Sequence, residues 1–320
     1  MNSILEKVSK IGLMPVIKLE DVSKATDLAK ALIDGGIPVA EVTFRAKDAD
    51  KAIAAIAKAY PDMLVGAGTV INIEQVKLAV AAGAKYIVSP GFVPEVVQYC
   101  LDNDICVIPG CTNASEISVA SNMGLEVVKF FPAEAMGGLK VLKAMAGPFG
   151  KMRYIPTGGI SPKNLSEYLS FKKIICVGGS WMVPGDLVAA GDWAGITALA
   201  KEAVVAMLEL SIVHIGINSA TPEFYKDAVK GFSVIMGQDA KEGGKSAFVG
   251  PQIEIMKEQG RGTFGHLALG CTSLERAVNY FEAQGMKFDY DTAKYNDYGE
   301  MVFIYFTDEF GGFGVHLVRK

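Results

Sequence analysis

Between residues 12 and about 180 the chain repeats one unit: a short apolar run, a break rich in Gly, Pro and Asn, then a stretch in which Ala, Leu and Ile recur at three and four residues. The apolar runs cover 14–19, 39–44, 64–70, 86–89, 106–109, 125–131, 153–156 and 174–177. Each is apolar on both faces, as a strand buried on both sides of a parallel sheet must be. The stretches between them, such as 24–35 and 48–60, keep the helical period. Eight strands, each followed by a helix, predict a closed (β/α)8 TIM barrel of the α/β class rather than an open doubly wound sheet.

A long helix is predicted over 192–210, and beyond it the pattern changes. Runs at 212–218, 232–236, 246–250, 252–257, 265–270, 301–306 and 315–319 alternate polar with apolar or hold aromatics, the period of antiparallel strands. Helical stretches at 222–230 and 273–284 interrupt them. The expected domains are therefore 1–210, the barrel, and 211–320, an α+β domain. Residues 211–258 and 263–320 both read strand, helix, strand, strand, strand. Each half opens on a histidine before alternating apolar residues, His214-Ile215-Gly216-Ile217 and His266-Leu267-Ala268-Leu269. Duplication of one βαβββ module is the simplest explanation.

Length and charge narrow the function. The 320 residues suit two domains of about 150 each, and a 50% apolar, 21% charged chain has ample material for a core. A net charge of −4 argues against nucleic acid, which is held by clustered Lys and Arg. No apolar run approaches the ~18 residues of a membrane span, and the N-terminus lacks the pattern of a secretory signal. The expectation is a soluble cytoplasmic protein with a small-molecule partner. Cys100, Cys106, Cys111, Cys176 and Cys271 show no paired spacing and read as core residues.

In a barrel, working side chains gather where strands end. The polar residues there are Lys18, Glu41, Thr43, Arg45, Thr69, Ser89, Thr112, Lys129, Thr157 and Ser180. Lys129 stands inside the apolar run Val127-Val128-Lys129-Phe130-Phe131. An ammonium withdrawn from water is costly unless paired or neutralised, and a neutral amine attacks ketones to form a Schiff base. The competing reading is a lysine whose stem packs inside while its head reaches solvent. Glu41 ends another apolar strand; it either pairs with Arg45 or Lys129 or moves protons beside a Schiff base. Two glycine-rich turns, Thr157-Gly158-Gly159 and Gly178-Gly179-Ser180, follow the seventh and eighth runs, where barrels commonly hold phosphate on backbone N–H groups.

Taken together, Gly66-Ala67-Gly68-Thr69-Val70, Lys129-Phe130-Phe131-Pro132-Ala133-Glu134, Pro156-Thr157-Gly158-Gly159-Ile160 and Val177-Gly178-Gly179-Ser180-Trp181 resemble the KDPG/KHG aldolase family over about residues 5–205. These class I aldolases act on 2-dehydro-3-deoxy-6-phosphogluconate and 4-hydroxy-2-oxoglutarate. The resemblance implies Lys129 as the Schiff-base lysine and Glu41 as the general acid/base. It places Arg45 and Thr69 at the pyruvate moiety, Pro90 and Phe131 as apolar walls, and Thr157, Gly158, Gly159, Gly179 and Ser180 at the phosphate end. Where many members carry an arginine for the substrate carboxylate, this chain has Lys18, a point charge rather than a bidentate fork. Implied products are pyruvate with glyceraldehyde 3-phosphate or glyoxylate, with no cofactor, from a homotrimer.

The chain has three histidines, all beyond residue 210. His214 and His266 open equivalent strands, and His316 lies in the last strand, where the first half carries Glu254. Imidazoles and a carboxylate suit a divalent metal such as Zn, Ni, Fe or Mn; the alternative is three unrelated core histidines. The pattern resembles the vicinal oxygen chelate (glyoxalase-like) superfamily, which implies His214, Glu254, His266 and His316 as the metal ligands. Tyr225, Phe232, Phe248, Phe264 and Tyr305 are either pocket walls or core. Three readings of the whole chain stand: an aldolase with a metal-dependent domain, an aldolase whose second domain only binds a ligand or mediates assembly, and a non-aldolase phosphate-binding barrel.

Overall fold

Each apolar run of the first half becomes a short strand, and the polar residue ahead of many helices becomes a cap. The Asn72 side chain accepts from Gln75 N and that of Asn113 from Glu116 N, satisfying N–H groups that the first turn leaves without partners. The computed structural model describes residues 2–320. It divides into two compact units, Met1–Met207 and Leu208–Lys320.

The first unit holds parallel strands β1 (Leu13–Ile17), β2 (Val39–Thr43), β3 (Leu64–Gly68), β4 (Ile87–Val88), β5 (Val107–Ile108), β6 (Val127–Phe130), β7 (Arg153–Pro156) and β8 (Val177–Gly179). Helix α1 (Ser3–Ile11) precedes β1. The others are α2 (Ala25–Asp34), α3 (Ala49–Ala59), α4 (Ile73–Ala81), α5 (Pro94–Asp102), α6 (Ala114–Asn122), α7 (Gly138–Ala146), α8 (Leu165–Leu169), α9 (Gly185–Ala190) and α10 (Trp193–Leu208). Six strands form one sheet in the order β5-β4-β3-β2-β1-β8, and β6 pairs β7. Single parallel bridges, Gly110 to Lys129 and Thr157 to Gly178, link the two sheets on both sides. The eight strands thus follow one another around a TIM-like ring.

The expected eighth run, 174–177, begins too early. Gly178 and Gly179 lie inside β8, paired with Met14 and Pro15 of β1, and do not form the turn after it. Packing explains the glycines. A Cβ on Gly178 would fall 2.3 Å from Thr157 Oγ1, and one on Gly179 would fall 1.7 Å from the Trp181 ring.

The second unit carries β9 (Ser211–Ile217), α11 (Pro222–Met236), β10 (Lys241–Glu242), β11 (Ser246–Val249), β12 (Ile253–Met256), β13 (Gly265–Cys271), α12 (Leu274–Ala283), β14 (Phe288–Tyr295), β15 (Met301–Phe310) and β16 (Phe313–Arg319). Strand, helix and three strands occur twice. One sheet runs β10-β11-β12-β9-β13-β16-β15-β14. At its centre β9 and β13 are antiparallel, flanked by β12 parallel to β9 and β16 parallel to β13. Helix α11 packs on β11 and β12, and α12 on β15 and β16.

One expectation fails here. Residues 232–236, read as a strand, continue α11 to its Gly237 C-cap; with Val234 and Ile235 exposed, the apolar run belongs to a helix surface. The module order requires a strand after α12 but no apolar run places it, because β14, Phe288-Asp289-Tyr290-Asp291-Thr292-Ala293-Lys294-Tyr295, is a polar edge strand with a register break. All five cysteines are buried and free. Among the described residues no helix is long and apolar enough to cross a membrane.

Candidate functional site

Lys129 alternates on β6 with Val128 and Phe130, both fully buried. Its strand is held by Lys129 N donating to Pro109 O at 2.9 Å and Cys111 N donating to Lys129 O at 2.8 Å. The side chain enters the ring, where Nζ donates to Glu41 Oε1 at 3.0 Å and Oε2 at 3.2 Å. Both residues are buried, Lys129 5% and Glu41 1% exposed. Each charge is therefore matched by the other, which is the condition for burying either. The Phe131 ring centroid lies 5.3 Å from Nζ. An amine in a dry site beside a carboxylate able to take its proton is equipped for nucleophilic attack on a carbonyl.

The other expected residues lie around this pair. Arg45 Nε donates to Thr43 Oγ1 at 3.3 Å, and Thr43 Oγ1 donates to Ile17 O at 2.8 Å; the buried Thr43 thereby ties Arg45 to β1. Thr69 follows β3 with φ +57, the left-handed region uncommon for a β-branched residue. The Pro90 carbonyl lies where a Cβ on Gly110 would fall, at 2.2 Å. Gly158 and Gly159 have φ of +98 and +80. Glu134 N donates to Gly158 O at 3.1 Å, which binds the β7 turn to the segment after Lys129. The Thr157 hydroxyl is buried without a partner. Ser180 is exposed just past β8. Lys18 is half-exposed and paired with Glu20 at 2.5 Å.

A second cluster occupies the sheet of the other unit. Glu254 faces Gly216 on β9, and His316 faces Ala268 on β13. His266 faces Gly216 and His214 faces Ala268, so the carboxylate and the third imidazole hold equivalent places in the two modules. His214 Nε2 and His266 Nε2 are 3.1 Å apart, and Glu254 Oε2 is 3.3 and 3.0 Å from them. One ligand atom from each histidine lies within 4.8 Å of the others. Burial lowers His214 and takes His316 down to about 3, with His266 adding to both shifts. Burial works to raise Glu254, but hydrogen bonds from His266 and Ser246, together with the charge interactions with His266 and His214, hold the carboxyl below its ordinary value.

Phe303, Tyr305 and Phe248 surround the imidazoles, with Phe303 4.5 Å and Tyr305 4.9 Å from His316 and Phe248 5.5 Å from His214. Of the five expected aromatics, Phe248 and Tyr305 touch the cluster. Tyr225 and Phe232 lie on α11, and Phe264 is exposed against Phe313. Phe303 and Ser246 were not anticipated. Their signal was register alone, since Phe303 is two residues from Tyr305 and Ser246 two from Phe248.

The sequence profile of the KDPG and KHG aldolases matches residues 4–199. The 2-dehydro-3-deoxy-phosphogluconate aldolase of Treponema pallidum (strain Nichols) is 48% identical over 202 residues, 63% of this chain and 96% of that protein. The KHG/KDPG aldolase of Escherichia coli (strain K12) is 48% identical over 191 residues, 60% of this chain and 90% of that protein. In structure, the KDPG aldolase of Legionella pneumophila, captured with pyruvate as a covalent carbinolamine, superposes with a TM-score of 0.61 at 40% identity, covering 62% of this chain and 97% of that one. Through its first unit the chain belongs to the KDPG and KHG aldolase family and is, on that membership, a lyase.

Proposed function

We propose that the first unit is a Schiff-base aldolase in which Lys129 is the nucleophile and Glu41 the proton carrier. Its substrates are 2-dehydro-3-deoxy-6-phosphogluconate, cleaved to pyruvate and glyceraldehyde 3-phosphate, and 4-hydroxy-2-oxoglutarate, cleaved to pyruvate and glyoxylate. The observation that carries this reading is the buried contact of Lys129 Nζ with both Glu41 oxygens. Glu41 takes a proton from the ammonium, and the freed amine adds to the 2-oxo carbon. The carbinolamine hydroxyl leaves as water on receiving a proton from Glu41. The protonated imine then draws the electrons of the C3–C4 bond as the C4 hydroxyl proton departs to the carboxylate. The aldehyde leaves, the enamine is protonated at C3, and water releases pyruvate and the amine.

Arg45, Thr69 and Lys18 hold the carboxylate end, Pro90 and Phe131 wall the methylene, and Thr157, Gly158, Gly159, Gly179 and Ser180 take the phosphate. The positive φ of Gly158 and Gly159 supports the last role, because glycine in this conformation lets the backbone approach an anion closely. Borohydride added with pyruvate must reduce an adduct onto Lys129. A folded protein that remains unlabelled ends this reading. Steady-state rates on the two substrates decide the preference.

A second reading concerns the other unit, a paired-module sheet of vicinal oxygen chelate type in which His214, Glu254, His266 and His316 hold a divalent ion. The donor set fits: burial favours the neutral forms of His214 and His316, the surroundings of Glu254 favour its ionised form, and the buried His316 Nδ1 has no partner. Gly216 supplies the space, since a Cβ there would lie 2.0 Å from the His266 ring. A bound ion would act as a Lewis acid on an oxygen ligand. Metal content of protein purified without chelator, compared with His214→Ala and His266→Ala, tests it. Equal content in all three rejects the ligand set.

A further inference from the structure

Glycines at positions 66 and 68 face the interior of the ring from β3, because Gly66 pairs with Glu41 and Gly68 with Thr43 of β2. Both vacant positions are filled, by different residues. A Cβ on Gly66 would lie 2.2 Å from the Tyr86 ring, which is fully buried and anchored by Tyr86 Oη donating to Ala40 O at 2.8 Å. That ring closes the layer at the level of Glu41's own backbone. The Glu41 side chain therefore rises one layer, toward the ends of the strands where the other expected site residues stand. There it lies over Gly68, and a Cβ on Gly68 would fall 2.3 Å from Oε1, 2.5 Å from Cγ and 2.8 Å from Cδ.

We propose that Gly68 is a positioning residue of the aldolase reaction: the space left by its missing side chain is the seat of the Glu41 carboxylate. Three atoms of the glutamate occupy that seat, so a methyl group cannot be absorbed by rotating only the terminal torsion. The carboxylate has to leave, and with it the contacts to Lys129. Proton transfer requires hydrogen-bond reach, so the chemistry fails although the amine itself is untouched. The inference rests on Glu41 being the proton carrier.

The test separates amine from carboxylate. Incubated with pyruvate in deuterated water, Gly68→Ala should exchange the methyl protons at least about 100-fold more slowly than the unsubstituted protein, within the range a positioned acid/base supplies. With borohydride, saturating pyruvate and long incubation it should still be labelled on Lys129, more slowly than the unsubstituted protein because Glu41 also helps to form the imine. A companion pair, both lacking Glu41 and so equally short of the buried ion pair, removes the overlap. Formate should restore exchange to Glu41→Ala, where the seat is empty, and fail with Gly68→Ala/Glu41→Ala, where a methyl group fills it. Undiminished exchange in Gly68→Ala, or equal rescue of both formate variants, overturns the proposal. Undiminished exchange in Glu41→Gln would instead overturn the role of Glu41 itself.

Discussion

Ser246 Oγ donates a 2.5 Å hydrogen bond to Glu254 Oε1, the oxygen that does not touch the imidazoles; Oε2 meets His214 and His266. One carboxylate oxygen is thus held by the neighbouring strand while the other faces the cluster. Groups that orient a metal ligand from behind typically contribute about 10- to 100-fold in affinity. Ser246→Ala should weaken binding of Zn2+ or Ni2+ by that amount, read by competition with a chromophoric chelator. Unchanged affinity would show that Glu254 needs no such support or binds no metal.

The same cluster makes stability pH-dependent in chelator-treated protein. Burial, with His266 and His214 nearby, lowers His316 to about 3, whereas an unfolded histidine titrates near about 6.5. Between these values the unfolded chain carries the extra proton, so stability rises with pH by up to about 1.4 kcal/mol per unit and is lost as pH falls. The lowered Glu254 adds a loss of the same sign at lower pH. The groups facing His316 are His214, His266, Glu254 and Tyr305, with Arg261 over the Tyr305 ring. Denaturant midpoints of the metal-free protein should fall between pH 6.5 and 4, and His316→Gln should flatten the slope. A flat profile in the parent protein contradicts the burial of a neutral imidazole.

Removing one member of the Lys129–Glu41 pair leaves the other charged in a dry interior. Lys129→Met and Glu41→Leu should each cost about 3–5 kcal/mol, while the double variant comes out about neutral or more stable. Urea unfolding of all four proteins measures this coupling. Additive losses would mean that the two groups do not share one buried site. All three variants should lack aldolase activity.

Thr43 offers a test away from the reacting atoms. Thr43→Val keeps the shape but leaves the buried Ile17 carbonyl without its donor and Arg45 without its tether. The loss should be about 1–3 kcal/mol in stability, with KM for the 2-oxo acid rising more than kcat falls. A variant with normal KM would detach Arg45 from substrate binding.

Much of this architecture is legible in the sequence. The strands of the first unit lie within or beside the apolar runs, since burial on both faces leaves a continuous apolar signature. Glu41 and Lys129 stood out as charges in such runs, and membership of the aldolase family removes the alternative of a non-aldolase barrel. In the second unit the signal weakened where amphipathic helix and strand look alike. Val234 and Ile235 are exposed yet apolar, so their run resembles a strand, and the polar β14 has no apolar run to place it.

The order of the residues determined by itself where the strands of the first half lie, which charges stand inside apolar runs, and that the second half repeats a module. Those are properties of local periodicity, readable one window at a time. Which residues meet was decided only by the tertiary structure. Lys129 and Glu41 are 88 positions apart and touch because closure of a ring brings β6 opposite β2. His214, His266 and His316 converge because two modules share one sheet. The place of Gly68 depends on Tyr86, just ahead of β4, occupying the layer beneath, a steric fact that no spacing along the chain contains.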